Sequence, residues 1–157
     1  MTGDGVRPGK FENPGAEERC ALLKRVKTIA VVGLSPNPGR PSYGVSKAMQ
    51  EFGYTIIPVH PVAREILGAK AYCRLADIPF PIDLVNVFRN SADVPPVVDE
   101  AIKIGAKVVW MQEGIVNEEA AKTARAAGLQ VVMNACMRAT HRRLIGPKPV
   151  NLLGIHR

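Results

Sequence analysis

The chain has 157 residues, 46% hydrophobic and 22% charged, a balance that suits one domain with a substantial core and argues against a second. No run of about 18 apolar residues occurs, and the opening "MTGDGVRPGKFENPG" lacks the apolar stretch of a signal peptide, so a soluble, cytoplasmic protein without a membrane role is expected. The formal net charge of +7 raises nucleic acid as a partner, yet the basic residues are scattered. The densest cluster, Arg138, His141, Arg142 and Arg143, has no interleaved aromatic residues to stack on bases and reads as a solvated helix face. A small polyanionic ligand accounts for a positive field equally well. Cys20, Cys73 and Cys136 are odd in number, far apart and without clustered histidine, which points to reduced thiols rather than a disulfide framework or a zinc site.

In chain order, residues 1–13 read as a flexible N-terminal segment, 14–145 as the folded domain and 146–157 as a C-terminal tail. Asn13-Pro14 offers an N-cap with proline at the first helical position, predicting a short helix to about Val26. Residues 29–32 are β-branched and apolar without alternation, as expected of a strand covered on both faces of a parallel sheet, and Gly33 ends it. Three prolines, a glycine and Arg40 separate Ser35 from Ser42. From Tyr43 a helix follows, with Val45, Ala48, Met49 and Phe52 at helical spacing and Gly53 suited to a left-handed cap. "YTIIPVHP" supplies strand two, and residues 62–81 lack a long period and read as loops with a helical turn near 75–78. Residues 84–88 form strand three. A helix starting at Ser91 or Asp93 tolerates Pro95 and Pro96 in its first turn, buries Val94, Val97, Val98, Ala101 and Ile102, and stops at Gly105. Residues 107–111 are strand four, Asn117 caps a helix through Ala127 closed by Gly128, and residues 131–133 are strand five. Ala120, Ala121 and Ala124 let that helix lie close to the sheet.

Five short apolar strands alternating with helices predict an α/β fold, an open parallel sheet with helices on both faces and right-handed crossovers. Ligand sites in such sheets lie beyond the carboxyl ends of the strands, which restricts the search to residues 33–42, 60–64, 88–91, 111–114 and 134–137. The first of these loops is suited to phosphate, because a helix N-terminus, amides exposed by a stiff loop and an always-charged guanidinium attract an anion. Pro/Gly/Ser loops are also common at turns that bind nothing. The loop is not the dinucleotide fingerprint G-x-G-x-x-G, which is followed about 20 residues on by an acidic residue. It reads G-x-S-x-x-P-x-R-x-S-Y, strand two ends in Val59-His60-Pro61 with no carboxylate for a ribose hydroxyl, and no G-x-x-x-x-G-K-[ST] occurs. NAD and ATP both lose ground.

The segments "VVGLSPNPGRPSYGVSKAMQEFGYTIIPVHP", "ILGAKAYCRLADIP", "VNVFRNSADVPPVVDEAIKIGAKVVWMQEGI" and "EEAAKTARAAGLQVVMNACMRATHRRL" resemble the single-domain CoA-binding protein family, in register from Lys24 to Leu144. The family's domain is similar in turn to the CoA-binding N-terminal domain of the succinyl-CoA synthetase α subunit. The resemblance implies a Rossmann-like sheet that binds coenzyme A or acyl-CoA, with no chemistry established for the stand-alone proteins. It implies Gly33 and Ser35 near the CoA diphosphate, with Arg40, Ser42 and Tyr43 in the loop around it. Val59 and Pro61 would pack on adenine, and Arg64 follows Pro61 closely enough along the chain to reach a ribose 3′-phosphate, although family members often carry a lysine nearer the proline. Phe88, Arg89, Met111, Gln112, Glu113 and Gly114 would lie beside ribose or pantetheine. The chain departs from the family in reading Met133-Asn134-Ala135-Cys136 where Met-Asp-x-Cys is frequent, and its tail "GPKPVNLLGIHR" is unmatched.

Each of these residues also has a purely structural role open to it. Tyr43 can pack at a helix start, Phe88 and Met111 in the core, and Arg89 can pair with Asp93. His60, between a strand end and a proline, reads as a surface residue rather than a general base, and Cys136 is either poised near the CoA thiol or buried and inert. The expected function is non-catalytic binding of CoA or acyl-CoA, without independent catalytic activity and with a protein partner left open. The competing readings are a CoA-ligase-related domain that acts with a partner chain, and an NAD(P)-binding redox or regulatory protein, which the missing acid after strand two disfavours.

Overall fold

The computed structural model describes residues 10–146, so the start of the expected N-terminal segment, to residue 9, and the expected tail from residue 147 lie outside the described residues. The strands are β1 (Thr28–Val32), β2 (Thr55–Val59), the two-residue β3 (Glu65–Ile66) and β4 (Ala69–Lys70), β5 (Leu84–Val87), β6 (Val108–Met111) and β7 (Gln130–Val132). All but β3 and β4 form one parallel sheet in the order β2-β1-β5-β6-β7, with Ile29 aligned between Ile56 and Leu84. The chain steps outward from β1 to β2 and then returns to the other side of β1 at β5. That reversal opens a crevice at the carboxyl ends of β1 and β5, the usual ligand position in open α/β sheets.

Both faces of the sheet are covered, which is why its apolar runs do not alternate. Ile29 and Val31 pack with Leu22, Met49, Trp110 and Met137, beneath α1 (Ala16–Arg25), α2 (Pro41–Glu51) and α5 (Met137–Leu144). Ala30 and Val32 pack with Val98, Ala101, Ala121 and Ala124, beneath α3 (Val94–Lys103) and α4 (Glu118–Ala126). The architecture is the Rossmann-like α/β single domain expected from the sequence. Among the described residues no helix is long and apolar enough to cross a membrane.

Several boundaries differ from the sequence reading for local reasons. Asn13 does not cap α1, whose N-cap is Gly15. Its side chain instead brackets Met133, just past β7, donating to the Met133 carbonyl at 2.8 Å and accepting from the Met133 amide at 2.7 Å. Phe11 is buried with the Arg125 guanidinium 4.0 Å above its ring, so packing begins before residue 14. Helix α2 starts at Pro41 rather than Tyr43, because proline at the first helical position needs no amide partner. Asn117 caps α4 as its sequence predicts, accepting from Ala120 N at 2.9 Å. Within residues 62–81 the β3–β4 hairpin was not anticipated, whereas a 3-10 turn, Leu75–Asp77, stands where a helical turn was expected. The basic cluster on α5 is only partly a solvated face. Arg142 and Arg143 are exposed, but His141 is fully buried, stacked on Phe52 at 4.1 Å with the edge of Tyr54 against it.

Candidate functional site

Gly33 ends β1 in a left-handed conformation, φ +88°, and a Cβ there would meet the Phe88 carbonyl oxygen at 2.1 Å. Its amide donates to Val59 O at 3.3 Å, while Phe88 N donates to Val32 O at 2.9 Å, so the exits of β1, β2 and β5 are knitted together. The loop that follows is not a row of free amides. Ser35 N donates to Ser42 Oγ at 3.0 Å, Asn37 N to Ser35 Oγ at 3.0 Å, and Gly39 N to Asn37 Oδ1 at 2.9 Å. Three prolines contribute no donor, so the loop is stiffened by its own side chains rather than held open for a ligand. What it leaves for an anion is the first turn of α2, where the helix dipole is positive, together with the exposed guanidinium of Arg40, the N-cap residue, which makes no capping bond.

Gly33, Ser35, Arg40, Ser42, Phe88 and Arg89 line one cleft of about 300 Å³, joined by Pro41, Asn90 and Ile115. A second cleft, about 260 Å³, has apolar walls from Val32, Val59, Leu75 and Val97, and also takes in Arg74, Asp93 and Glu100. Arg89 lines both. Among the described residues the side chains of Arg40, Arg74 and Arg89 make no hydrogen bond or ion pair, so Arg89 does not pair with Asp93. Three uncommitted guanidiniums along two adjoining clefts form a track for a ligand with more than one anionic group. A fourth lies close by, since the Arg138 guanidinium would stand 3.5 Å from a Cβ on Gly44, in the first turn of α2.

The remaining expected site residues line neither cleft. Tyr43 is half-buried against the core on the α1, α2 and α5 face. Pro61 is exposed, its carbonyl accepting from Cys73 Sγ at 3.3 Å, and Arg64 is exposed, its carbonyl accepting from Ala71 N at 2.8 Å beside the hairpin. Met111 is fully buried beneath α3 and α4. Gln112 is 3% exposed and ties the fold internally, donating to Asn86 Oδ1 at 2.7 Å and accepting from Met137 N at 3.3 Å. Glu113 and Gly114 are exposed, with Gly114 N donating to Asn134 Oδ1 at 2.7 Å. Asn134 thereby braces the loop after β6. His60 Nδ1 accepts from both Val62 N and Ala63 N, at 3.0 and 2.8 Å, a turn brace that occupies this nitrogen. Cys136 is half-buried at the N-cap of α5. Among the described residues no group of three or more His, Cys, Asp or Glu is placed to hold a metal ion.

Arg74 is the lining residue that the sequence concealed most completely. It becomes visible only because Tyr72 bridges Val59, with Tyr72 N donating to Pro58 O at 3.0 Å and His60 N to Tyr72 O at 2.9 Å, which carries residues 73–75 alongside the end of β2.

The chain is 48% identical over 131 residues to the uncharacterized protein YneT of Bacillus subtilis, covering 83% of this chain and 97% of that one. It superposes with a TM-score of 0.84 on the structure of a hypothetical protein from Pyrococcus horikoshii, at 41% identity, covering 91% and 99% of the two chains. It is also 30% identical over 93 residues to an ADP-forming acetate–CoA ligase of Methanocaldococcus jannaschii, spanning 59% of this chain but only 13% of the ligase. Residues 27–142 match the CoA binding domain family, and the chain belongs to that family.

Proposed function

We propose that the chain binds coenzyme A or an acyl-CoA without transforming it, using the two clefts at the carboxyl ends of β1, β2 and β5. The observation that supports this most is Arg89, which lines both clefts while its side chain makes no hydrogen bond or ion pair among the described residues. The diphosphate would lie in the first cleft between Arg40, Arg89 and the start of α2, and adenine in the second against Val59. Gly33, Ser35 and Ser42 shape the diphosphate cleft, and Phe88 closes one side of it. In this reading Met111 and Gln112 support the site from beneath rather than touch the ligand. Tyr43, Glu113, Gly114, Pro61 and Arg64 lie outside both clefts. The proposal includes a cytoplasmic location, in keeping with three unbridged cysteines. Titration calorimetry with CoA and acetyl-CoA tests it: saturable binding at one site is expected, and absence of binding to either would remove the reading.

A second reading has an observation of its own in the likeness to ADP-forming acetate–CoA ligases, of which the chain spans 13% to 26%. In it, this domain presents CoA to a partner chain that supplies ATP chemistry. Incubation with CoA, ATP, Mg²⁺ and short carboxylic acids separates the two. The binding reading expects no acyl-CoA from the protein alone, and its formation would establish an enzyme.

A further inference from the structure

The geometry points to Arg74 as the residue that reads the ribose 3′-phosphate, which makes the protein selective for CoA over 3′-dephospho-CoA. This rests on the CoA reading above and assigns to Arg74 the role that chain proximity had suggested for Arg64.

Arg74 lines the second cleft together with Val59, whereas Arg64 lines neither cleft. The difference follows from the course of the chain. After Pro61 the backbone runs out into the β3–β4 hairpin, with Ala71 N bonded to Arg64 O at 2.8 Å, and only the returning segment pairs with the end of β2 through Tyr72. The backbone that carries Arg74 is fixed on both sides. Asp77 N donates to its carbonyl at 3.0 Å, and Cys73 Sγ donates to Pro61 O at 3.3 Å. Its guanidinium is exposed and makes no hydrogen bond or ion pair among the described residues.

The other charged groups of the cleft sharpen the assignment. Arg89 is shared with the diphosphate cleft, so a ligand occupying both already engages it. Asp93 and Glu100 come from the α3 side, one at its N-cap and one within it, and would repel an additional phosphate there. The formal charges of two guanidiniums and two carboxylates cancel in this lining, so recognition of the extra phosphate rests on direct contact with Arg74 rather than on net charge. Glu100 remains available as an acceptor for a ribose hydroxyl or the adenine amino group.

The test is equilibrium titration of CoA and 3′-dephospho-CoA into the wild-type chain, Arg74→Gln and Arg64→Gln. The wild type should prefer CoA by about ten- to a hundredfold, the range of one charge-assisted contact. Arg74→Gln should bring that ratio close to unity by weakening CoA alone, with unchanged melting temperature, and Arg64→Gln should preserve it. Equal loss for both ligands in Arg74→Gln, or collapse of the ratio in Arg64→Gln instead, would overturn the assignment. Equal wild-type affinity for the two ligands would sink it while leaving CoA binding intact. Failure of the wild type to bind either would bring down the CoA reading itself.

Discussion

Gly33 and the carbonyl of Phe88 approach so closely that a Cβ on Gly33 would stand 2.1 Å from the Phe88 oxygen, with Gly33 also held at φ +88°. This contact sets the spacing between the exits of β1 and β5, and therefore the shape of the first cleft. Gly33→Ala combines left-handed strain with a clash against backbone that has no room to move, and should destabilise the fold by about 2–4 kcal/mol. Urea unfolding measures this, and an unchanged midpoint would show that the two strand ends separate freely.

Arg40→Ala is expected to do the reverse, sparing stability and weakening the ligand. Its side chain is exposed and bonds to nothing in the fold among the described residues. Loss of one charge-assisted contact should weaken CoA by about 1–3 kcal/mol, more at low salt than at high. Calorimetric affinities equal to wild type would remove Arg40 from the site.

Gln112 separates a structural from a contact role. Its amide links Asn86 on β5 to the first amide of α5, and Asn86 already carries one buried side-chain N–H without a partner. Gln112→Leu strands a buried acceptor and a buried donor, which should cost about 2–4 kcal/mol. Thermal unfolding reports it. Wild-type stability combined with lost CoA affinity would instead place Gln112 against the ligand.

Tyr54 donates its hydroxyl hydrogen to the Leu23 carbonyl and is 5% exposed. Burial, with a smaller contribution from the Cys20 thiol, pushes its phenol well above the ordinary tyrosine value. Above about pH 10 the unfolded chain releases this proton while the folded chain retains it, so stability falls with rising pH by up to about 1.4 kcal/mol per unit. The contribution is fully present below pH 10. Tyr54→Phe should be slightly less stable than wild type at neutral pH, and the gap should close on going to alkaline pH. A gap independent of pH would show that Tyr54 ionises as readily in the folded chain as in the unfolded one.

The sheet was legible because strands covered on both faces cannot alternate, and runs such as residues 29–32 and 84–87 show that directly. The first cleft was legible as well, since strand ends bring Gly33, Arg40 and Arg89 together whatever the loops do. The β3–β4 hairpin was not, because two-residue strands carry no period. Nor was the burial of His141, which depends on a stack with Phe52 nearly ninety positions earlier in the chain. The loop after β1 misled for a different reason: serine and asparagine side chains occupy amides that composition alone leaves free. Arg64 and Arg74 show the limit too: the β3–β4 hairpin, which only the folded structure reveals, leaves Arg64 lining neither cleft and Arg74 lining the second.

The most direct test of CoA binding is the melting temperature of the wild-type chain measured in parallel with CoA, acetyl-CoA, NAD and ATP. A ligand that binds only the folded state raises it by mass action, by about 2.7 kcal/mol of stability at a hundred times its Kd. CoA or acetyl-CoA should raise the melting temperature in a concentration-dependent way, with NAD and ATP leaving it near the unliganded value. A shift with NAD and none with saturating CoA would contradict the account.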